Sequence, residues 1–244
     1  MLRSAQSMIG YRVRANRSEI GKIDDLLFDA DHWLARYWVI NSTGLLASRD
    51  ETFVPIGLTD WIDHSLRDIS LSTSKELIEK SPDLRLRSPS ARWPQPHYSE
   101  RYQWPFFWTG AGTLGTATVK PPSEPIASEK KSELALYSSA EAFRYRLHAT
   151  DRNAGYVEDF LLDDRTWSIR YLVVTRRRWW PTRAVAMPPH WITDVSWKEH
   201  LFNVDLTRKQ IFNAPRFNRS SAISPDFEEK LTAYYAGHRY RKTA

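Results

Sequence analysis

Gly21–Ile40 reads GKIDDLLFDADHWLARYWVI, and Gly155–Val174 reads GYVEDFLLDDRTWSIRYLVV. The second stretch lies 134 positions after the first and keeps the glycine, two acids, the tryptophan and an Arg-Tyr pair in place. Without gaps, residues 12–60 and 146–194 agree at 14 of 49 positions, where about three are expected by chance for ordinary composition. The identities include Gly21/Gly155, Asp25/Asp159, Leu27/Leu161, Asp29/Asp163, Trp33/Trp167, Arg36/Arg170, Tyr37/Tyr171, Arg49/Arg183 and Pro55/Pro189. After a small shift, DISLSTSKELIEKSP (68–82) resembles NVDLTRKQIFNAP (203–215). Repetition at a fixed offset means one structural unit made twice.

Each unit reads mostly as strand. RYWVIN (36–41) and RYLVVT (170–175) are β-branched and aromatic runs between turn signals. ETFVPI (51–56) and RAVAMP (183–188) are short strands stopped by proline. RDISLS and LFNVDL alternate apolar and polar residues, the mark of a half-buried strand. SKELIEK (74–80), with Ser74 as N-cap, and RKQIFN (208–213) are the good short helices. Several short strands and one helical turn in about 75 residues predict a small β-barrel, hence an all-β chain with short helices.

The units span 8–84 and 134–215. Residues 85–133 are Pro-, Ser- and charge-rich at their ends, as linkers are. Their middle, HYSERYQWPFFW (97–108), holds six aromatic residues. The tail 216–244 carries FEEKLTAYYAGHRY, also rich in rings. Each unit is therefore expected to own an aromatic strap.

The chain has 244 residues, no cysteine and nine glycines. Disulfides, thiolate zinc sites and cysteine nucleophiles are excluded. MLRSAQSMIGYRVRAN lacks the apolar core of a secretory signal, and no window approaches the apolar length of a membrane span; a cytoplasmic protein is expected. The net charge of +6 is unevenly spread. Residues 8–84 carry 9 Lys/Arg against 13 Asp/Glu, a net of −4, and residues 142–215 carry 12 against 8, a net of +4.

Taken in order, IGKIDDLLFD, LARYWVI, SRDETFVP and ISLSTSKELIEKSP in the first unit, and AGYVEDFLLD, WSIRYLVV, TRAVAMPP and VDLTRKQIFNAP in the second, resemble the PRC-barrel family. The resemblance covers both repeats and stops at the linker. It implies two small, mostly antiparallel barrels in tandem. In that family the domain occurs in the H subunit of the purple-bacterial photosynthetic reaction centre, in a ribosome maturation factor and in stand-alone proteins. This chain departs from the first in having no membrane helix, and from the second in carrying another PRC-like copy where a different barrel stands.

Gly21 and Gly155 suit a bulge or a positive φ angle. Asp25 and Asp29, like Asp159 and Asp163, share one face of an ideal strand, so they could serve as general acid and base or hold an ion. A bulge near Asp24 would instead let them end the strand, cap a turn, or pair with Arg36 and Arg170. Trp33 and Trp167 would lid one barrel end. Arg49 and Arg183 would be charge partners for a duplicated acid. The segment TRRRWWPTR (175–183) exists only in the second unit. Its Arg176, Arg177, Arg178, Trp179, Trp180 and Arg183 suit a protein-interaction hot spot, or phosphate contact with base stacking, or a solvated tip folded back on the barrel.

The seven histidines show neither H-x-H nor HExxH spacing. No G-x-S-x-G elbow, Walker loop or G-x-G-x-x-G loop occurs. No enzyme activity, metal or cofactor is expected. The expected function is a non-enzymatic interaction scaffold for another protein, with its two barrels packed on each other and a homodimer possible. An RNA- or ribosome-associated factor using 175–183 and a ligand or metal sensor using the duplicated acids are the alternatives.

Overall fold

A computed structural model describes residues 1–42, 44, 46, 50–79, 92–94, 133–176, 183–219 and 223–239. The first copy contains β1 (Leu2–Ser4), α1 (Ala5–Met8), β2 (Arg12–Ala15), β3 (Ser18–Asp29), β4 (Leu34–Asn41), β5 (Glu51–Pro55), β6 (Thr59–Asp63), β7 (Asp68–Leu71) and α2 (Lys75–Glu79). A short β8 (Arg92–Pro94) follows. The second copy repeats the series with β9 (Glu133–Ser138), α3 (Ser139–Ala142), β10 (Arg146–His148), β11 (Asn153–Asp163), β12 (Ile169–Thr175), β13 (Ala184–Met187), β14 (Ile192–Ser196), β15 (Leu201–Val204) and α4 (Arg208–Asn213). It ends with β16 (Arg216–Phe217) and α5 (Pro225–Arg239).

The two sheets have the same order. One runs β5-β4-β3-β2-β7-β6 and the other β13-β12-β11-β10-β15-β14, with β16 added beyond β13. The pairs β2/β7 and β10/β15 are parallel. Among the described residues no ladder joins β5 to β6 or β13 to β14, so the sheets are open and no closed barrel forms. They must nevertheless curl. The edge strands β5 and β6 are consecutive, joined only by a 3-10 turn at Ile56–Leu58. The four Cα steps from Pro55 to Thr59 reach at most about 14 Å. Five strand spacings of a flat sheet would hold these edges about 24 Å apart. The same turn recurs at Pro189–Trp191.

The long strands β3 and β11 organise each sheet. Their register slips against β4 between Ile23 and Asp25, and against β12 between Val157 and Asp159. These bulges re-aim the duplicated acids, as alternation broken by LL and LLF runs requires. Gly21 and Gly155 sit at φ 149° and 118°. A Cβ there would lie 2.1 Å from the Asn41 carbonyl oxygen and 2.0 Å from that of Thr175. Glycine is thus required both by the backbone angle and by the neighbouring strand.

The expected strap at the C-terminus is a helix, α5. Ser224 caps it, accepting from the Phe227 N–H at 3.2 Å, and Pro225 opens it with Asp226 and Glu228 in the first turn. It stays on its own copy. The Tyr235 hydroxyl donates to the Ala186 carbonyl at 3.0 Å, and the Tyr234 hydroxyl to the Gln210 carbonyl at 2.6 Å. The segment 97–108 lies outside the described residues. Buried apolar residues of both copies, such as Leu26, Phe28 and Trp38 with Phe160, Leu172 and Phe202, form one continuous cluster. A small satellite of Leu27, Val39, Phe53 and Leu136 lies on the other face of the first sheet. No helix among the described residues is long and apolar enough to cross a membrane.

Candidate functional site

The seam between the copies is made by exchange. β1 belongs to the first copy but pairs with β11 of the second, with Leu2 opposite Asp163, Arg3 opposite Leu162 and Ser4 opposite Leu161. β9 opens the second copy but pairs with β3 of the first, with Leu136 opposite Asp29, Tyr137 opposite Phe28 and Ser138 opposite Leu27. The two ladders match residue for residue at the repeat offset. Each sheet therefore contains the other copy's first strand.

The duplicated acids lock this exchange. Ser4 caps α1, accepting from the Ser7 N–H at 3.0 Å, and its own hydroxyl donates to Asp159 across the seam. The Gln6 N–H also donates to Asp159, at 2.9 Å. In the mirror position the hydroxyls of Ser138 and Ser139 and the Ala140 N–H donate to Asp25, the last two at 2.7 and 2.9 Å. The reason is local. A helix start leaves backbone N–H groups without partners, and each acid satisfies one belonging to the other copy. Its own strand adds a donor at the bulge, Leu26 or Phe160, at 2.7 Å. Asp159 is buried with no cation beside it among the described residues, and burial pushes its carboxyl up to about 6 against these hydrogen bonds.

The second acid of each motif ends its strand. Asp29 is buried and accepts from the backbone N–H groups of Asp31 and His32, the His32 ring at 2.8 Å and the Arg36 guanidinium at 2.7 Å. Burial opposes its ionisation, but Arg36 and His32 hold the carboxyl below its ordinary value. Asp163 caps the equivalent turn through the Arg165 and Thr166 N–H groups at 2.9 and 3.4 Å. The expected Asp163–Arg170 pair does not form. Arg170 is 49% exposed where Arg36 is 4% exposed, and its guanidinium goes to Glu228 on α5 at 3.0 Å. The first copy has no described counterpart of α5 to compete for Arg36.

The duplicated tryptophans reach across the seam too, and Trp33 also stacks on Phe28 of its own copy at 5.8 Å. Trp33 and Trp167 have φ of 53° and 58°, a conformation costing about 1–2 kcal/mol for a residue with a side chain. That geometry lets the hairpins bond reciprocally. The Ala35 N–H reaches the Trp167 carbonyl at 2.9 Å and the Ile169 N–H reaches the Trp33 carbonyl at 2.7 Å. Trp33 then packs 6.2 Å from the Phe160 and Phe202 rings of the second copy, and Trp167 stands edge-on to Trp38 of the first at 5.4 Å. Beside ladders, neutral donors on carboxylates, and rings, the seam holds charge at one end, where the Met1 ammonium lies 2.6 Å and Arg3 Nε 3.3 Å from Asp164 of the second copy.

Of the second copy's unduplicated segment, Arg177, Arg178, Trp179 and Trp180 lie outside the described residues, as does Arg49. The two flanking arginines fold back on their own copy. Arg176 stacks on Phe212 with its guanidinium carbon 4.6 Å from the ring centroid, and Arg183 donates to the Ala214 carbonyl at 2.8 Å. Arg183 is therefore not the partner of a duplicated acid. It precedes Ala184, which pairs with Thr175, which pairs with Tyr156. Asp159 and Asp163 lie three and seven residues further along β11, about 10 and 23 Å away.

The exchanged segment was absent from the sequence-based expectations, yet the repeat carries its signal. At the same offset of 134, Leu2 matches Leu136, Ser4 matches Ser138 and Tyr11 matches Tyr145. Among the described residues no group of three or more His, Asp or Glu is placed to hold a metal ion. No protein-family model matches this chain, and no curated protein matches it.

Proposed function

We propose that this chain is a non-enzymatic interaction scaffold, two PRC-like barrels fused into a pseudo-dimer that presents the surfaces on which its copies differ to another protein. The observation that carries this is the use of the duplicated polar residues. Asp25, Asp159, Trp33 and Trp167 join the copies to each other, which leaves the unlike surfaces for external work. A sensor built on the duplicated acids fits less well, because Asp25, Asp29 and Asp159 already hold several protein donors each. The barrel reading is supported by two sheets of identical strand order, each curled by a three-residue corner.

Copy two carries a net charge of +4, so an acidic partner is favoured by long-range attraction. The test is recovery of the tagged chain from its native cells after nuclease treatment. One protein is expected in stoichiometric amount, reduced at least tenfold (about 1.4 kcal/mol) by combined Arg176→Ala, Arg177→Ala and Arg178→Ala. Recovery of nucleic acid that disappears with nuclease is the outcome for an RNA-associated factor. Recovery of the chain alone overturns the scaffold.

A further inference from the structure

Quasi-equivalent positions can be compared within this molecule, and one comparison exposes a difference in charge pairing. In the first copy β2 and β7 run parallel with Arg12 opposite Asp68. The Asp68 carboxylate is buried and sits between two guanidiniums, 3.2 Å from Arg12 Nε and 3.0 Å from Arg14 Nε. In the second copy β10 and β15 pair in the same way with Arg146 opposite Leu201. The arginine is retained and the carboxylate is gone. Arg14 is replaced by His148, and Arg144 stands at the position of Gly10.

The space beside Arg146 is a cleft of about 660 Å³ lined by Glu141, Arg144, Arg146, Tyr156, Glu199 and His200, with Ala140 at its edge. Tyr156 is the direct ladder partner of Arg146 on β11. In the first copy the residue matching His200 is Arg67, which lies over the Tyr11 ring at 5.3 Å and donates to the Ile9 carbonyl. His200 instead stands edge-on to Tyr145 at 4.8 Å. The side chains of Arg144 and Arg146 make no ion pair with any described acid, although Glu141 and Glu199 share the cleft wall.

We propose that this cleft is a binding site for a compact oxyanion, a phosphate or carboxylate group held by the guanidiniums of Arg144 and Arg146. Guanidiniums recognise such groups through charge-assisted, geometrically directed hydrogen bonds. Tyr156 supplies a ring wall and a hydroxyl at the same spot. Glu141 and Glu199 keep the cleft from becoming a polyanion track, so a small dianion suits it better than a nucleic-acid backbone. Burial raises the Glu141 carboxyl above its ordinary value while His200 and Arg144 act against this, consistent with a crowded, partly desolvated cluster. This site uses neither the duplicated acids nor the 177–182 tip, so it stands apart from the scaffold reading.

The test is titration calorimetry on the full chain at low ionic strength, using inorganic phosphate and succinate as probes of the two oxyanion chemistries. Saturable binding of at least one is expected. Arg146→Ala, a change at an exposed residue, should weaken it tenfold or more. Leu201→Asp, which supplies the internal carboxylate of the first copy, should weaken it to a similar extent, whereas Arg12→Ala should leave it unchanged. The stronger probe tells phosphate from carboxylate. Absence of saturable binding by both probes, or binding equal in wild type, Arg146→Ala and Leu201→Asp, overturns the proposal.

Discussion

Asp159 gives the sharpest physical test of the seam. Its carboxylate is buried, holds Ser4, Gln6 and Phe160 through hydrogen bonds, and has no neighbouring cation among the described residues. Burial lifts its pKa from 3.8 to about 6. A carboxyl raised on folding binds its proton more tightly in the folded state. Its contribution to stability is complete below the unfolded value near 4 and is lost as pH rises through about 6. Two units at about 1.36 kcal/mol each make about 3 kcal/mol. Asp29 behaves oppositely, its lowered pKa making its contribution fade as pH falls below the ordinary carboxylate value.

Urea unfolding of the wild type and of Asp159→Asn across about pH 3.5–7.5 isolates the first group, because Asp29 and the other acids cancel in the difference. Asparagine loses part of the acceptor capacity, a cost that does not vary with pH. Wild type minus variant is expected to fall by about 3 kcal/mol as pH rises, mostly between about pH 4 and 6.5. A difference flat with pH, or one centred below about 4.5, refutes the picture of a buried, cation-free clasp.

Three further outcomes follow from the same geometry. Asp25→Ala removes the acceptor of three donors from the second copy and should cost about 2–4 kcal/mol, with a coupling to Ser138→Ala above about 0.5 kcal/mol in a double-mutant cycle. Additive effects would show that the seam bond is absent in solution. Trp167→Ala should cost about 3–5 kcal/mol, yet Trp167→Gly should be the more stable of the two variants by about 1 kcal/mol, because φ is 58°; thermal unfolding decides, and the ordinary order, alanine above glycine, would contradict the hairpin geometry. Gly155→Ala places a Cβ 2.0 Å from the Thr175 carbonyl oxygen and should prevent native β11–β12 pairing, seen as a loss of soluble folded protein or of near-ultraviolet dichroism. A native-like variant would show that the strands can separate at that point.

Much of each sheet is legible in the chain because its causes are local. Alternation and β-branched runs mark β4, β7, β12 and β15, and proline stops β5 and its counterpart. The bulge at Asp24 can be anticipated because an unbroken pleat would place Asp25, Leu27 and Asp29 on one face. Even α5 carries its start signal locally, in Ser224, Pro225, Asp226 and Glu228. The partner of Arg170 has no such local mark. That partner, Glu228, is 58 residues away, beyond any local pattern.

By itself the sequence determined that one unit was made twice, where its strands and turns fall, and which glycines and acids those turns need. Only the tertiary structure decided which copy each first strand would join. The β1–β11 and β9–β3 ladders have the same register at the repeat offset, so backbone pairing favours neither copy. The Ser4–Asp159 and Ser138–Asp25 bonds are likewise equivalent at that offset, whereas Arg3 pairs at 3.3 Å with Asp164, whose match in the first copy is Ala30. The long-range partner of a strand edge or a carboxylate is set by where the folded chain brings it, and periodicity carries no record of that.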